Sequence, residues 1–553
     1  MAGRLFTNIK PIHLSLISGV LLALSYPPLP CYLFAFIGLA PLLYVYEEKP
    51  RHPLLLTLLS FFIYHTASNW WISSWQANTD PYLLISGLAI DLVHPFFFLV
   101  PMGIYRVVRS KLGLTKALIA FPFIWTAFEW AHSLGDLGYP WLSLGYTQMY
   151  NYFFVQAADI AGVWGLSFLI AACNAVVFAL IIKLRNNSET RTKLFKEPYT
   201  ILLCVHIVIL LFIPVIYGVI RVSNLNLNET EKKINFSVVQ PNIDPWQKWV
   251  ADPMSQIGKY KQLQDSLIQA QGKAPDVSVW SETAITYLNT DINLNHNLVF
   301  LNDWLDSNKM SLLTGFTDMV LFDEKPANSP TARYWPAKGK YYESYNSAIL
   351  LNPDSVSRFK PQIYHKMRLT PFGERLPYAE LFSFAISWFE WNVGISSWSK
   401  GNEQKNLILR NGVIEAKIAP IICIESIYPD FVRGFTAKGA DVLTVITNDG
   451  WYDYTYGPEQ HFQIAAMRAI ENRRYLVRCA NTGVSGFISP TGKTIKKAPQ
   501  YTSIAVSESI PLINTKSLYV EIGDLLPQIC SFATLVLFFF SIIYRKKIKI
   551  EPY

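Results

Sequence analysis

An apolar, β-prone run from Ala416 to Ile422 ends in Cys423-Ile424-Glu425-Ser426. A buried strand ending there would carry a thiol to the rim of a sheet, where it could act as a covalent nucleophile. A lone cysteine is more often a small core residue, because a reactive one also needs a base and a cationic partner close by. Three other stretches supply such groups. Val277-Ser278-Val279-Trp280-Ser281-Glu282 is a short strand pattern ending in a carboxylate, and Val442–Ile446 runs into Thr447-Asn448-Asp449. Between them lies Tyr364-His365-Lys366-Met367-Arg368-Leu369-Thr370-Pro371-Phe372-Gly373-Glu374. Taken singly, each charge reads as a cap or a surface residue. Together they place a thiol, a carboxylate and an ammonium at strand ends that could meet at one site.

Competing motifs fail on spacing. Gly486 and Gly492-Lys493-Thr494 are separated by one residue too many for a phosphate loop, and Gly483-Val484-Ser485-Gly486 lacks the spacing of a serine elbow. His365 and His461 belong to no HExxH pattern, so no metal is expected. The six cysteines, Cys31, Cys173, Cys204, Cys423, Cys479 and Cys530, include no CxxC pair, which speaks against a zinc site or a disulfide scaffold. A Cys423–Cys479 bridge would extinguish the nucleophile. Cys479 is the rival thiol, without a matching base or lysine.

These strand ends have to be positioned by a chain of 553 residues, too long for one core. Its middle alternates strand patterns (Ile234–Val239, Val277–Trp280, Ser311–Gly315, Ala348–Leu351, Ile414–Ile422, Val442–Ile446, Leu476–Cys479) with helical ones (Gln256–Gln271, Asn295–Asn308, Pro458–Asn472). That order suggests α and β layers around sheets. The formal net charge of +8 does not mark a nucleic-acid surface: Val222–Asp524 holds 30 basic and 30 acidic residues, and the remaining 18 basic and 10 acidic residues flank apolar segments.

Seven such segments precede the middle region (Ile12–Tyr26, Tyr32–Tyr46, Leu54–Trp75, Pro81–Val107, Ala117–Ala131, Phe154–Ile182, Ile201–Val219) and one, Leu525–Tyr544, follows it. The first two are short against the ~20 residues a span needs and could instead form a re-entrant hairpin. The N-terminus has no small-residue cleavage site, so its apolar run is read as a retained helix. Lys and Arg crowd the connections after segments two, four, six and eight and are absent after one, three and five. The positive-inside rule then puts both termini in the cytoplasm and the middle domain outside. The expected domains are a seven-helix membrane domain (1–221), a soluble domain (222–524) and a last transmembrane helix with a basic tail (525–553). Asp91, His94 and Glu129 within spans could mark an ion pathway. The loop Gly138–Tyr146 reads as a membrane-surface anchor or part of a lipid cleft. Leu381–Trp391, which includes Trp388, reads as an aromatic lid over the headgroup region or as a buried helix.

The three motifs in order, Trp-Ser-Glu282, Lys366 ahead of Leu-Thr-Pro-Phe-Gly-Glu374, and Cys423-Ile-Glu425, resemble the Glu–Lys–Cys signature of the nitrilase superfamily. With Asn448-Asp449-Gly450-Trp451, Gln460-His461-Phe462 and the apolar segments, the whole chain resembles the apolipoprotein N-acyltransferase family. The resemblance implies a multi-span helical membrane domain joined to a nitrilase-like αββα sandwich, in a bacterial inner membrane. It implies transfer of an acyl chain from a membrane phospholipid to the N-terminal amine of a diacylglyceryl-cysteine apolipoprotein, with no cofactor. Glu282, Lys366 and Cys423 would be catalytic, with Trp249, Trp451, Asn448, Tyr146 and Trp388 on the substrate. The family usually carries an aromatic where this chain has Ile424.

In physical terms a thiol of ordinary pKa near 8.5 must lose its proton to attack an ester, and Glu282 would take it. Lys366 and the Ile424 backbone N–H would stabilise the tetrahedral oxyanion. Glu374 and Glu425 are candidates to orient Lys366 or to serve as structural ion pairs. The alternatives are a membrane-tethered amidase or nitrilase that releases acyl groups to water, and a transporter or receptor whose outer domain binds lipid without turnover.

Overall fold

Two β-sheets carry every strand end singled out above. The computed structural model describes residues 9–73, 81–186, 197–225, 232–288, 296–327, 329–354, 358–382, 384 and 398–543. The first sheet is built from β1 (Lys233–Gln240), β2 (Val277–Trp280), β3 (Ser311–Phe322), β4 (Arg333–Trp335), β5 (Lys340–Leu351) and β6 (Gln362–His365). The second contains β7 (Leu407–Asn411), β8 (Ile414–Ile422), β9 (Val442–Thr447), β10 (Leu476–Ala480), β11 (Gly486–Ile488) and β12 (Thr494–Lys497). A last strand, β13 (Ile504–Pro511), returns to pair antiparallel with β1. The orders are β13-β1-β2-β3-β5-β4, with β6 on β5, and β12-β11-β10-β9-β8-β7. In each sheet a parallel trio, β1-β2-β3 or β8-β9-β10, is flanked by antiparallel strands. Parallel trios point all their carboxyl ends the same way, which is how Glu282, Cys423 and Asn448 come to one rim.

Side chains alternate by face, as the period of a strand requires. Val238, Leu313 and Leu350 belong to the core shared with the second sheet, whereas Val239, Leu312 and Leu351 pack under the helices Pro253–Gln271 and His296–Asn308. Pro429–Ala437 and Gly457–Asn472 cover the other sheet. The layers are therefore α, β, β, α. Strands β3 and β5 are longer than their apolar cores predict, because they extend as a paired ribbon from Phe316 to Phe322 and Lys340 to Ser347.

Among the described residues, each of the eight apolar stretches is helical. Four of the described helices, Leu83–Leu112, Phe154–Arg185, Pro198–Ser223 and Leu525–Ile543, are long and apolar enough to cross a membrane; Pro11–Ser25 and Tyr32–Glu47 are shorter. Pro198–Ser223 leaves Val208, Phe212 and Ile216 exposed, and Leu525–Ile543 leaves Phe532, Leu535 and Phe539 exposed, as side chains facing lipid would be. Glu129, read as a possible pathway residue, is buried and accepts hydrogen bonds from the Trp125 indole (2.7 Å) and the Leu144 N–H (2.8 Å).

Helix Gly457–Asn472 joins the two halves. One side lies on the second sheet, and the other carries polar residues that bond to the apolar region. The Gln460 amide accepts from the indoles of Trp71 (3.1 Å) and Trp141 (2.9 Å) and donates to the carbonyls of Pro27 (2.9 Å) and Ser68 (3.0 Å). Just past its end, the buried Arg473 reaches Asp159, which also accepts from Arg221 (2.7 Å) and Tyr217 (2.6 Å). Asp159 is 1% exposed and Arg473 0%. Asp159→Asn would leave Arg473 buried without its counter-charge, a loss of ~3–5 kcal/mol. Thermal unfolding in detergent should show a clear drop in midpoint, and an unchanged midpoint would contradict this role.

Candidate active site

Glu282 stands two residues beyond β2, where the chain folds back across β3. Thr283 takes φ +46°, and Gly315 makes room: a Cβ there would lie 2.5 Å from the Thr283 nitrogen and 2.6 Å from the Ser281 oxygen. Beneath this turn the buried Lys248 donates to the Glu282 carbonyl and to the Thr283 hydroxyl, both at 2.9 Å. Burial pulls the Lys248 ammonium down to a pKa of about 7, against the opposing charge of Glu282.

Lys366 lies just past β6. Its own N–H donates to the Asn346 carbonyl (2.8 Å) and its carbonyl accepts from Gly401 (2.8 Å). The ammonium, 1% exposed, donates to Glu282 Oε1 and Glu374 Oε1, each at 2.9 Å. The Asn346 amide bridges the same two oxygens at 2.8 and 2.9 Å. The remaining oxygens are also occupied: Asn448 N–H reaches Glu282 Oε2 (3.0 Å) and Thr370 N–H reaches Glu374 Oε2 (2.8 Å). Burial opposes the charge on Lys366, but the two carboxylates outweigh it and hold the ammonium well above its usual pKa. Burial likewise raises Glu374, and Lys366 with the Thr370 N–H overcomes it, holding the carboxyl below its usual range.

Cys423 opens the 3₁₀ turn Cys423–Ile427 directly after β8, with φ +49°. A non-glycine residue in this left-handed region is held there by its surroundings. Glu425 is one support: it accepts from Ile422 N–H (2.8 Å), Met367 N–H (2.7 Å) and the Tyr364 hydroxyl (2.7 Å), tying the Cys423 turn to the Lys366 loop. Burial raises the Glu425 carboxyl to about 7 despite these donors. His461 is the other. Its Nδ1 lies 3.0 Å from Asp449, and its Nε2 lies 2.7 Å from the Ser426 hydroxyl and 3.2 Å from the Cys423 carbonyl. Burial and the neighbouring Arg478 lower His461, so the neutral ring donates from Nδ1 to Asp449, accepts at Nε2, and braces the Cys423 turn through the Ser426 hydroxyl rather than by a direct bond to the Cys423 carbonyl. The Ser426 hydroxyl, 2.8 Å from the Cys423 carbonyl, has one proton to share between that oxygen and the imidazole. Asp449 is held ionised by Arg478 and His461 against its burial.

The Cys423 thiol is pushed up by burial first and by the Glu282 charge second, while Lys366 pulls it down. The resting group is therefore a thiol, beside a carboxylate that can take its proton and an ammonium that can receive negative charge. Covalent acyl chemistry by general base catalysis is what this set can do.

The sequence-predicted residues divide as follows. Glu282, Lys366 and Glu374 form one hydrogen-bonded cluster, with Cys423 in its field. Glu425 makes no bond to the Lys366 ammonium and braces backbone instead, so of the two candidates Glu374 is the one that orients it. Ile424 is half-buried beside the thiol. Asn448, expected on the substrate, is engaged internally: its N–H holds Glu282, and its side-chain oxygen accepts from Asn481 (3.0 Å). Tyr146, also expected on the substrate, is fully buried between Arg468 (3.0 Å) and the Ile427 carbonyl (3.2 Å), so it joins the apolar helices to the Cys423 turn. Trp249 is half-buried against Trp398, with a buried indole N–H that has no partner among the described residues, and Trp451 packs edge-on to Trp246. Trp388 lies outside the described residues, as does most of the aromatic stretch around it; Leu381, Phe382 and Phe384 are exposed. Cys479 donates to the Val239 carbonyl (3.3 Å) inside the sheet core, and all six cysteines are free. Sequence reasoning missed Asn346, Lys248 and Arg478. Nothing marks Asn346 in the middle of β5, but Lys248 between two tryptophans was a visible oddity. Among the described residues no cluster of His, Cys, Asp and Glu suits a metal ion.

Residues 18–176 match the apolipoprotein N-acyltransferase N-terminal domain, and residues 236–512 match the carbon-nitrogen hydrolase family. The chain is similar along its length to the apolipoprotein N-acyltransferase of Chlorobaculum tepidum, with 34% identity over 94% of each chain. It is similar to that of Geobacter metallireducens at 30% identity, over 94% of this chain and 92% of the relative. Apolipoprotein N-acyltransferase 1 of Treponema denticola is 29% identical over 96% of each.

The opposing charges on the thiol set a prediction. Alkylation of Cys423 by iodoacetamide, followed by peptide mass spectrometry across a pH series, should be slow at neutral pH. Glu282→Gln removes a negative charge and should shift the alkylation profile to lower pH; Lys366→Ala should shift it higher. Profiles that fail to move in opposite directions would contradict the assignment.

Proposed function

The chain belongs to the apolipoprotein N-acyltransferase family, and from that premise we propose that it moves an acyl chain from a membrane phospholipid to the N-terminal amine of a diacylglyceryl-cysteine lipoprotein through a thioester on Cys423. The observation that carries the mechanism is the buried ammonium of Lys366 held between Glu282 and Glu374 beside the Cys423 turn. In the first half-reaction Glu282 takes the thiol proton as sulfur bonds to the ester carbonyl carbon. Lys366 and the Ile424 N–H receive the oxyanion. The ester C–O bond then breaks, and Glu282 returns the proton to the departing lysophospholipid alkoxide. In the second half the lipoprotein amine attacks the thioester, Glu282 accepts the amine proton, and the departing sulfur recovers it. The two lipids thus react in turn at one site. Trp249 and Trp451 are proposed to contact them, and the aromatic stretch containing Trp388 to cover the site at the headgroup level.

The placement proposed is the bacterial inner membrane, crossed by a seven-helix domain (1–221) and a last helix (525–553), with the nitrilase-like domain (222–524) outside and both termini cytoplasmic. The alternation of Lys and Arg between connections supports this. Keeping the chemistry at the bilayer spares both substrates the transfer of acyl chains into water.

The test uses purified protein, phospholipid and a synthetic diacylglyceryl-cysteine peptide, with the peptide mass as readout. A gain of one acyl chain on the amine is expected. Lys366→Ala should slow it by about a hundredfold or more, as loss of an oxyanion donor does, and Cys423→Ala should abolish it. Release of free fatty acid with the peptide unmodified would instead favour a hydrolase, and indifference to Cys423→Ala would overturn the scheme.

A further inference from the structure

A cleft opens beside the Lys366 loop where the soluble domain meets the loop after helix Leu114–His132. Asp136 forms one wall, Arg368, Leu369 and Arg375 the other, and Lys400 and Tyr428 close it. Its lining carries three cations against one carboxylate. Asp136 is already engaged by Lys400 (3.2 Å) and by the Tyr378 N–H (3.0 Å). Arg375 is paired outside the cleft with Glu380 (2.6 Å) and donates to the Trp398 carbonyl (3.2 Å), yet its Nε is a buried donor with no partner among the described residues. Arg368 lies over the rings of Tyr428 (5.2 Å) and Phe431 (5.9 Å), and its guanidinium forms no ion pair among the described residues. A half-buried guanidinium stacked on aromatics, with its fork unused, is arranged for a tetrahedral oxyanion that accepts in pairs.

The cleft adjoins the chemistry. Arg368 is two residues from Lys366, and Tyr428 five residues from Cys423. A phospholipid whose ester carbonyl reaches the thiol has its phosphate one glycerol unit away. The Tyr428 hydroxyl donates to the Gly138 carbonyl of the membrane-side loop (2.8 Å), so this wall is fixed relative to the apolar helices. We propose that the cleft binds the phosphodiester of the acyl-donor headgroup, with Arg368 as its principal ligand and Arg375 Nε and Lys400 completing the cradle. This rests on the reading that a phospholipid is the donor. The apolar faces of Leu369 and Tyr428 flank the site and would strengthen the attraction.

The test compares two donors with the same acyl chains, a phospholipid and the corresponding diacylglycerol, in mixed micelles with full-length protein and the diacylglyceryl-cysteine peptide. The readout is the ratio of initial rates. The wild-type ratio should favour the phospholipid. Arg368→Gln should reduce that ratio about tenfold or more, in line with loss of a charge-assisted contact, and Arg368→Lys by less. Lys400→Ala, at a side chain 40% exposed and so tolerant of change, should move it in the same direction. Unchanged ratios in Arg368→Gln and Lys400→Ala would overturn the proposal. Millimolar inorganic phosphate, compared with chloride at equal ionic strength, should leave the wild-type ratio unaltered. A phosphate-specific fall absent from Arg368→Gln would assign the cleft to free phosphate and overturn the headgroup assignment. Failure of the wild type to use phospholipid at all would refute the donor reading itself, a result separate from any effect of the variants.

Discussion

The ammonium of Lys366 has almost no contact with water, and the structure is arranged around that constraint. A charge in such a place is stable only if opposite charge and hydrogen bonds replace the lost hydration. Glu282, Glu374 and the Asn346 bridge provide them, and they come from the end of β2, the loop after β6 and the middle of β5. The site therefore closes only when all three segments are in place. The same compensation fixes the ammonium as a donor beside Cys423 and leaves one carboxylate oxygen of Glu282 bonded to a backbone N–H alone, the Asn448 amide. Stability and reactivity here rest on one set of contacts.

A second coupling runs from the apolar helices to the sulfur. Gln460 and His461 are consecutive residues of one buried helix. Gln460 bonds to indoles and carbonyls of the apolar region, and His461 contacts the carbonyl of Cys423 and the hydroxyl of Ser426. The position of the Cys423 turn relative to the apolar helices is thus set by a single turn of helix. Tyr146, between Arg468 and the Ile427 carbonyl, repeats the connection nearby. This rigidity fixes where a reacting group would have to arrive to meet the sulfur.

Much of this was legible in the sequence. Short β-branched runs ending in Glu282, Cys423 and Asn448 revealed strands and the rim they share, because parallel strands bury both faces and leave polar groups only at their ends. The helix from Pro458 to Asn472 was legible too, but its burial was not. Gln460, Arg468 and Glu471 look like a solvated face until the membrane region supplies their partners. Asn346 gave no signal, since its importance arises only when two distant carboxylates converge on it. The internal bonds of Asn448 and Tyr146, both expected on the substrate, were likewise illegible, because their partners lie far away in the chain. The positive φ at Cys423 follows from contacts by Glu425 and His461 that no local pattern encodes.

Cys423, poised by this charge cluster, is proposed to carry the acyl group. Intact mass spectrometry of the purified protein mixed with phospholipid alone, without an amine acceptor, addresses this most directly. A mass gain of one acyl chain is expected, removed by hydroxylamine and absent from Cys423→Ala. A protein that stays unmodified under these conditions, yet acylates a lipopeptide once it is added, would contradict the covalent route.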